Sequence, residues 1–238
     1  MIEAKLAYKK LLEAIESIER DYIIVNYNES VPDCKLQPER SFAYELYHRW
    51  SSLLDQPPEK PISSLMLRLS GEITKHFQDK NGILSPDIVL HGGQEDTQNQ
   101  LIACEIKRKV NSSNNKEVLQ DIIKLYHYLN LKKFVTNGDN DDAKYQIAVF
   151  IALNTSKDRL KEIINQIFKD FLTIKIDKKF LGGISKKKLK KEELKKAILS
   201  HGKKIRCISI DTSSDNERTI VKYISLHKCI ENNPQNLL

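Results

Sequence analysis

Residues 85–91 read Ser-Pro-Asp-Ile-Val-Leu-His and residues 101–107 read Leu-Ile-Ala-Cys-Glu-Ile-Lys; the alternation in these two stretches decides the fold. Each is short and rich in branched apolar residues, the pattern of a β-strand. Between them, Gly92-Gly93 and the polar run from Gln94 to Gln100 make a hairpin-type loop. Successive side chains on a strand point to opposite faces. Asp87, Val89 and His91 therefore share one face, with Ile88 and Leu90 on the other. Glu105 and Lys107 share a face, and Ile102, Cys104 and Ile106 lie opposite. A hairpin that sets Asp87 beside Glu105 gathers two carboxylates and an ammonium at one edge of a sheet.

The flanking sequence supplies the rest of a sheet and its helices. Upstream, LMLRLSGEITKHF (65–77) reads as a strand interrupted near Gly71. Before it, SFAYELYHRWSSLL (41–54) carries Phe42, Leu46, Trp50, Leu53 and Leu54 on one helical stripe, with Ser41 as N-cap. Pro57, Pro58 and Pro61 stop that helix. Residues 2–20 show helical spacing, followed by a β-prone run from Tyr22 to Val25. Downstream, residues 116–131 form a helix with Val118, Ile122, Leu125 and Leu129 inward, and YQIAVFIALN (145–154) reads as a strand buried on both faces. A helix capped by Ser156, a lysine-rich helix near 185–200 and strands at 204–210 and 219–226 complete the chain, with a frayed tail at 231–238. The fold expected is α/β, a mixed central sheet flanked by helices, in one domain over residues 1–238. The core lies at about 40–153, with the 2–20 helix and a basic 172–238 extension as additions.

Composition narrows the function classes. A 238-residue chain with 40% hydrophobic and 30% charged residues is long enough for a buried core. It lacks the roughly 18 consecutive apolar residues a membrane helix requires. The charged N-terminal segment has no apolar centre of a secretion signal, so a cytoplasmic location is expected. Cys34, Cys104, Cys207 and Cys229 are scattered, with no spacing that suggests a structural zinc or a disulfide framework. The net charge is +7, and Lys175–Lys204 holds twelve lysines against Asp177, Glu192 and Glu193. So concentrated a basic segment suits an anionic partner such as nucleic acid; a solvated helix face explains it equally well.

The Asp87, Glu105 and Lys107 set has a definite chemistry. Two carboxylates and an amine at one sheet edge are costly unless compensated, and a divalent cation compensates them directly. Mg²⁺, with Mn²⁺ as a substitute, prefers carboxylate and carbonyl oxygen, so Asp87, Glu105 and the carbonyl of Ile106 are the expected ligands. Lys107 is placed to orient an attacking water and to stabilise negative charge. Arg108 and Lys109 extend the positive patch and are candidate phosphate contacts.

The string SPDIVLH, followed 18 residues after Asp87 by ACEIK, resembles the signature of the PD-(D/E)xK nuclease superfamily, the restriction-endonuclease-like fold. The resemblance covers roughly residues 40–153 and implies a helix, three strands, a helix and a strand. It implies hydrolysis of phosphodiester bonds in nucleic acid, DNA above RNA, in a metal-dependent reaction. A glutamate on the leading helix commonly joins the metal site in that superfamily. Glu45 matches by position, Glu72 is its rival, and an i, i+4 ion pair with Arg49 is the plainer reading of Glu45. Residues on the helix after ExK often contact substrate, which implies Gln120, with Asp121 and Lys124 behind it. A homodimer is implied if both strands of a duplex are cut. The competing readings are a catalytically silent nucleic-acid-binding module, and a protein whose basic helix docks on an acidic partner.

Overall fold

The computed structural model describes residues 2–23, 38–55, 65–69, 86–92, 100–130, 145–177, 190–212 and 220–230. Among these, six strands form one sheet in sequence order: β1 (Leu65–Leu69), β2 (Ile88–Gly92), β3 (Gln100–Lys107), β4 (Ile147–Leu153), β5 (Ile205–Asp211) and β6 (Ile220–Ser225). The pairs β1–β2, β2–β3 and β5–β6 are antiparallel, and β3–β4 and β4–β5 are parallel. The sheet is mixed and the class is α/β.

Parallel neighbours need a crossover, and helices provide it. Helix α3 (Asn115–Tyr128) joins β3 to β4, while α4 (Lys157–Lys169) and α5 (Lys191–His201) lie between β4 and β5. These three and the short α6 (Leu226–Ile230) cover one face, packing on Val89, Ala103, Ala148, Phe150, Ala152 and Cys207. The other face carries α1 (Ile2–Glu16) and α2 (Pro38–Asp55), whose Leu11, Ile15, Phe42, Leu46 and Trp50 pack on Ile88, Ile102, Cys104, Val149, Ile151 and Ile208. Strand β4 is therefore apolar on both sides, as a central strand between two helical layers must be.

Local sequence accounts for the helix starts. Ser156 is in extended backbone and its hydroxyl accepts the Arg159 N–H, which sets the first residue of α4. Helix α2 begins at Pro38, a turn earlier than a Ser41 cap would place it, because proline's fixed φ and missing N–H suit a first helical position. Tyr22 falls in a 3-10 turn (Arg20–Tyr22), not in a strand; Ile23 alone of the β-prone run is described beyond it, and it is buried. Strand β6 ends at Ser225, and Leu226, Cys229 and Ile230 bury the face of α6. Lys186–Lys188, Glu72 and the 231–238 tail lie outside the described residues. Cys104, Cys207 and Cys229 are buried free thiols. No helix among the described residues is long and apolar enough to cross a membrane.

Candidate functional site

Strand register creates the site. Ile88 pairs with Cys104, Val89 with Ala103 and Leu90 with Ile102; a bulge then shifts His91 onto Gln100. One step past Ile88 in the other direction, Asp87 lies beside β3, its N–H donating to the Cys104 carbonyl at 3.0 Å. The Asp87 carboxylate bends back to the strand and accepts the Ile106 N–H at Oδ2, 2.6 Å away. A strand residue's N–H and C=O point toward the same neighbour, so the Ile106 carbonyl also faces this edge.

Helix α3 closes over the carboxylates. Asp121, Lys124 and Tyr128 recur at i, i+3 and i+7, which places them on one helical face. Lys124 Nζ lies 2.9 Å from Glu105 Oε2 and 2.9 Å from Asp121 Oδ1. The Tyr128 hydroxyl donates to Glu105 Oε1 at 2.8 Å. Lys107 Nζ reaches Asp121 Oδ2 at 3.4 Å. Both Glu105 oxygens are thus engaged, and Asp121 links the two lysines. From the opposite layer, Glu39 in the first turn of α2 accepts the Arg108 N–H at 2.7 Å, beyond the end of β3.

Desolvation dominates the electrostatics. Burial pushes the Asp87 carboxyl up to about 6; the Ile106 N–H and Lys124 oppose the rise, and Asp121 and Glu39 add to it. Glu105 is also raised, first by burial, with Asp87 and Asp121 adding and Lys124 opposing. Burial works against the charge on Lys124, but Glu105 and Asp121 outweigh it and hold the ammonium above its usual range. Tyr128 is raised by burial and by Glu105 beside it. Burial thus holds both carboxyls toward their neutral forms, a bias that a divalent ion beside them would oppose.

The expected residues fall into three groups. Asp87, Glu105, Ile106, Lys107 and Lys124 come together, Lys124 as a buried partner of Glu105. Arg108 and Lys109 follow β3 as exposed side chains. Glu45 and Gln120 point to other tasks. Arg49 Nε donates to Glu45 Oε1, and its Nη1 donates to the Ser17 carbonyl, so this pair ties α2 to the end of α1. Gln120 Nε2 donates to Asp177 Oδ2 at 3.0 Å, where Lys116 also binds. Sequence reasoning did not place Glu39 and Tyr128 beside the carboxylates. The Tyr128 signal was present as a polar stripe beside the apolar one on α3; for Glu39 the Ser41 cap, which starts the helix after it, concealed it. Among the described residues no three His, Cys, Asp or Glu side chains are grouped closely enough to hold a metal ion.

No family model matches the chain, and comparison with curated proteins and with solved structures finds no match either.

Proposed function

We propose that this protein is a divalent-cation-dependent phosphodiesterase acting on nucleic acid, DNA in the first instance. The observation that carries the reading is the Asp87 carboxylate bonded to β3 at the Ile106 N–H, between Glu105 and Lys107, which share one strand face. The order α2, β1, β2, β3, α3, β4, with β4 parallel to β3, adds support to the resemblance to PD-(D/E)xK nucleases. The donor set suits Mg²⁺ or Mn²⁺: two hard carboxylates, both raised in pKa by burial, with the Ile106 carbonyl at the same edge. When bound, such an ion acidifies a coordinated water and neutralises charge on the phosphoryl group.

The remaining work falls to side chains. Lys107, tethered by Asp121, presents an ammonium that orients a water and stabilises oxyanion charge. Lys124 and Tyr128 fix the Glu105 rotamer. Arg108 and Lys109 contact backbone phosphate without reading sequence. Cutting both strands of a duplex with one site per chain calls for two copies.

The test is incubation with Mg²⁺ or Mn²⁺ over plasmid, linear duplex, single-stranded DNA and RNA. Asp87→Ala or Lys107→Ala is expected to reduce cleavage by roughly a hundredfold or more, with the circular dichroism spectrum and nucleic-acid binding retained. Cleavage that persists in both variants refutes the proposal.

A second reading draws on a specific observation: both Glu105 oxygens are already satisfied, by Lys124 and Tyr128. On this reading the cluster is a structural ion-pair network in a protein that binds nucleic acid without cutting it. Binding without cleavage of any of these substrates is its signature.

A further inference from the structure

At the far edge of the sheet lies a cavity of about 460 Å³, lined by Lys157, Lys161, Arg206, Tyr223, Ile224, Ser225 and Lys228. It is separate from the carboxylate cluster. Strand β6 stands three strands from β3, roughly 14 Å at the usual spacing between neighbouring strands.

The lining has four cations and no carboxylate. The acids of α4 are directed elsewhere: Glu162 pairs with Arg159 at 2.7 Å, and Asp158 is exposed. Lys157 is the first residue of α4, where its charge adds to the positive end of the helix dipole. Like charges gathered around a concavity focus a positive field and raise the local concentration of anions. Tyr223, at the same cavity, keeps 60% of its surface exposed.

Cations beside an exposed aromatic ring are the two halves of a nucleotide-binding surface: phosphate against Lys and Arg, a base against the ring. A paired base inside a duplex cannot offer its face to Tyr223, whereas an unpaired one can. We propose that this cavity binds an unpaired nucleotide of a single-stranded nucleic-acid segment. Lys157, Lys161, Arg206 and Lys228 hold its phosphates and Tyr223 stacks on its base. This site stands independently of the hydrolase reading, because it requires neither a metal nor cleavage.

Fluorescence anisotropy in EDTA tests it, with labelled single-stranded oligothymidine and a blunt duplex of equal length as probes. The intact chain is expected to bind the single strand more tightly than the duplex. The double variant Lys161→Glu/Lys228→Glu should weaken single-strand binding tenfold or more and flatten its dependence on salt. Tyr223→Ala should weaken it roughly tenfold, while Tyr223→Phe, which keeps the ring, binds as the parent does. Thermal melts check that the variants fold. Unchanged affinity in the charge-reversal variant, equal affinity for single strand and duplex, or equal losses in Tyr223→Ala and Tyr223→Phe would each overturn the proposal.

Discussion

The Tyr128 hydroxyl donates to Glu105 Oε1 at 2.8 Å, with the Tyr128 side chain fully buried and Glu105 nearly so. A buried carboxylate oxygen that loses its donor bears the full cost of desolvation. Tyr128→Phe is therefore expected to destabilise the metal-free fold by about 1–2 kcal/mol. The same variant should raise the Glu105 pKa further, because the lost bond favours the ionised form. Chemical denaturation measures the first effect and carboxyl NMR titration the second. A Glu105 titration unmoved by the change would mean that the hydroxyl does not hold the ionised carboxylate.

Lys124 is the positive charge nearest Glu105, and it also binds Asp121. Removing one member of a buried ion pair leaves an uncompensated charge, typically at about 3–5 kcal/mol. Lys124→Met keeps the length and apolar stem, so the expected loss is at the low end, roughly 3 kcal/mol. If Glu105 also ligates a divalent cation, Mg²⁺ should stabilise Lys124→Met more than the parent chain, since the ion takes over the neutralising role. Differential scanning calorimetry with EDTA and with Mg²⁺ compares the two. An identical Mg²⁺ response in both proteins argues that Glu105 is no ligand and favours the structural reading of the cluster.

The pH dependence follows from Asp87. Its carboxyl rises from 3.8 to about 6 in the fold, through burial above all. A pKa raised on folding means that the native state binds the proton more tightly than the unfolded chain does. The stability contributed by Asp87 is thus fully present below about pH 4 and is lost as pH rises through about 6. Glu105, also raised by burial, acts in the same direction. Mg²⁺ binding shows the opposite trend, because only the deprotonated carboxyl is a ligand. Thermal midpoints should therefore gain little from Mg²⁺ at pH 5 and markedly more at pH 8. A gain that is constant over that range would separate the ion from Asp87.

Much of this arrangement was legible in the sequence because it is encoded by alternation. The period of two around Asp87 and around Glu105 fixed which side chains share a face, and the bond from the Ile106 N–H to the Asp87 carboxylate brings the two stretches together. The unbroken apolar run of β4 announced its central position, and Ser156 announced the start of α4. What sequence did not reveal depends on approach between distant elements. Nothing local to Glu39 says that it reaches past the end of β3 to the Arg108 N–H. Gln120 is one position from Asp121 on α3, yet the hundred degrees between them sends it to Asp177 and not to the carboxylates. Lys124 was implied as a substrate contact on the helix after ExK; packing against β3 makes it a buried partner of Glu105. Tyr22 sits in a 3-10 turn for all its β propensity, because propensity is a weak guide without neighbours to pair with.

Two glutamates on α2 give the sharpest contrast. Glu45 is engaged by Arg49, which also donates to the Ser17 carbonyl and pairs with Glu19 at 3.4 Å, so its surroundings are those of a helix–helix tie. Glu39 lies two turns earlier, bonded to the backbone just past Lys107 and close enough to Asp87 to raise its pKa. A carboxylate in the first helical turn is favoured there by the helix dipole. Glu39→Ala is expected to weaken Mg²⁺ binding and cleavage by roughly tenfold, a loss in the range seen for groups that orient metal ligands. Glu45→Ala should leave both within about twofold and cost about 0.5 kcal/mol of stability, the scale of an i, i+4 pair. Isothermal titration with Mn²⁺, together with the cleavage rate, distinguishes the two. A loss confined to Glu45→Ala would move the helix α2 contribution back to the tie with α1 and leave Glu39 as a backbone cap.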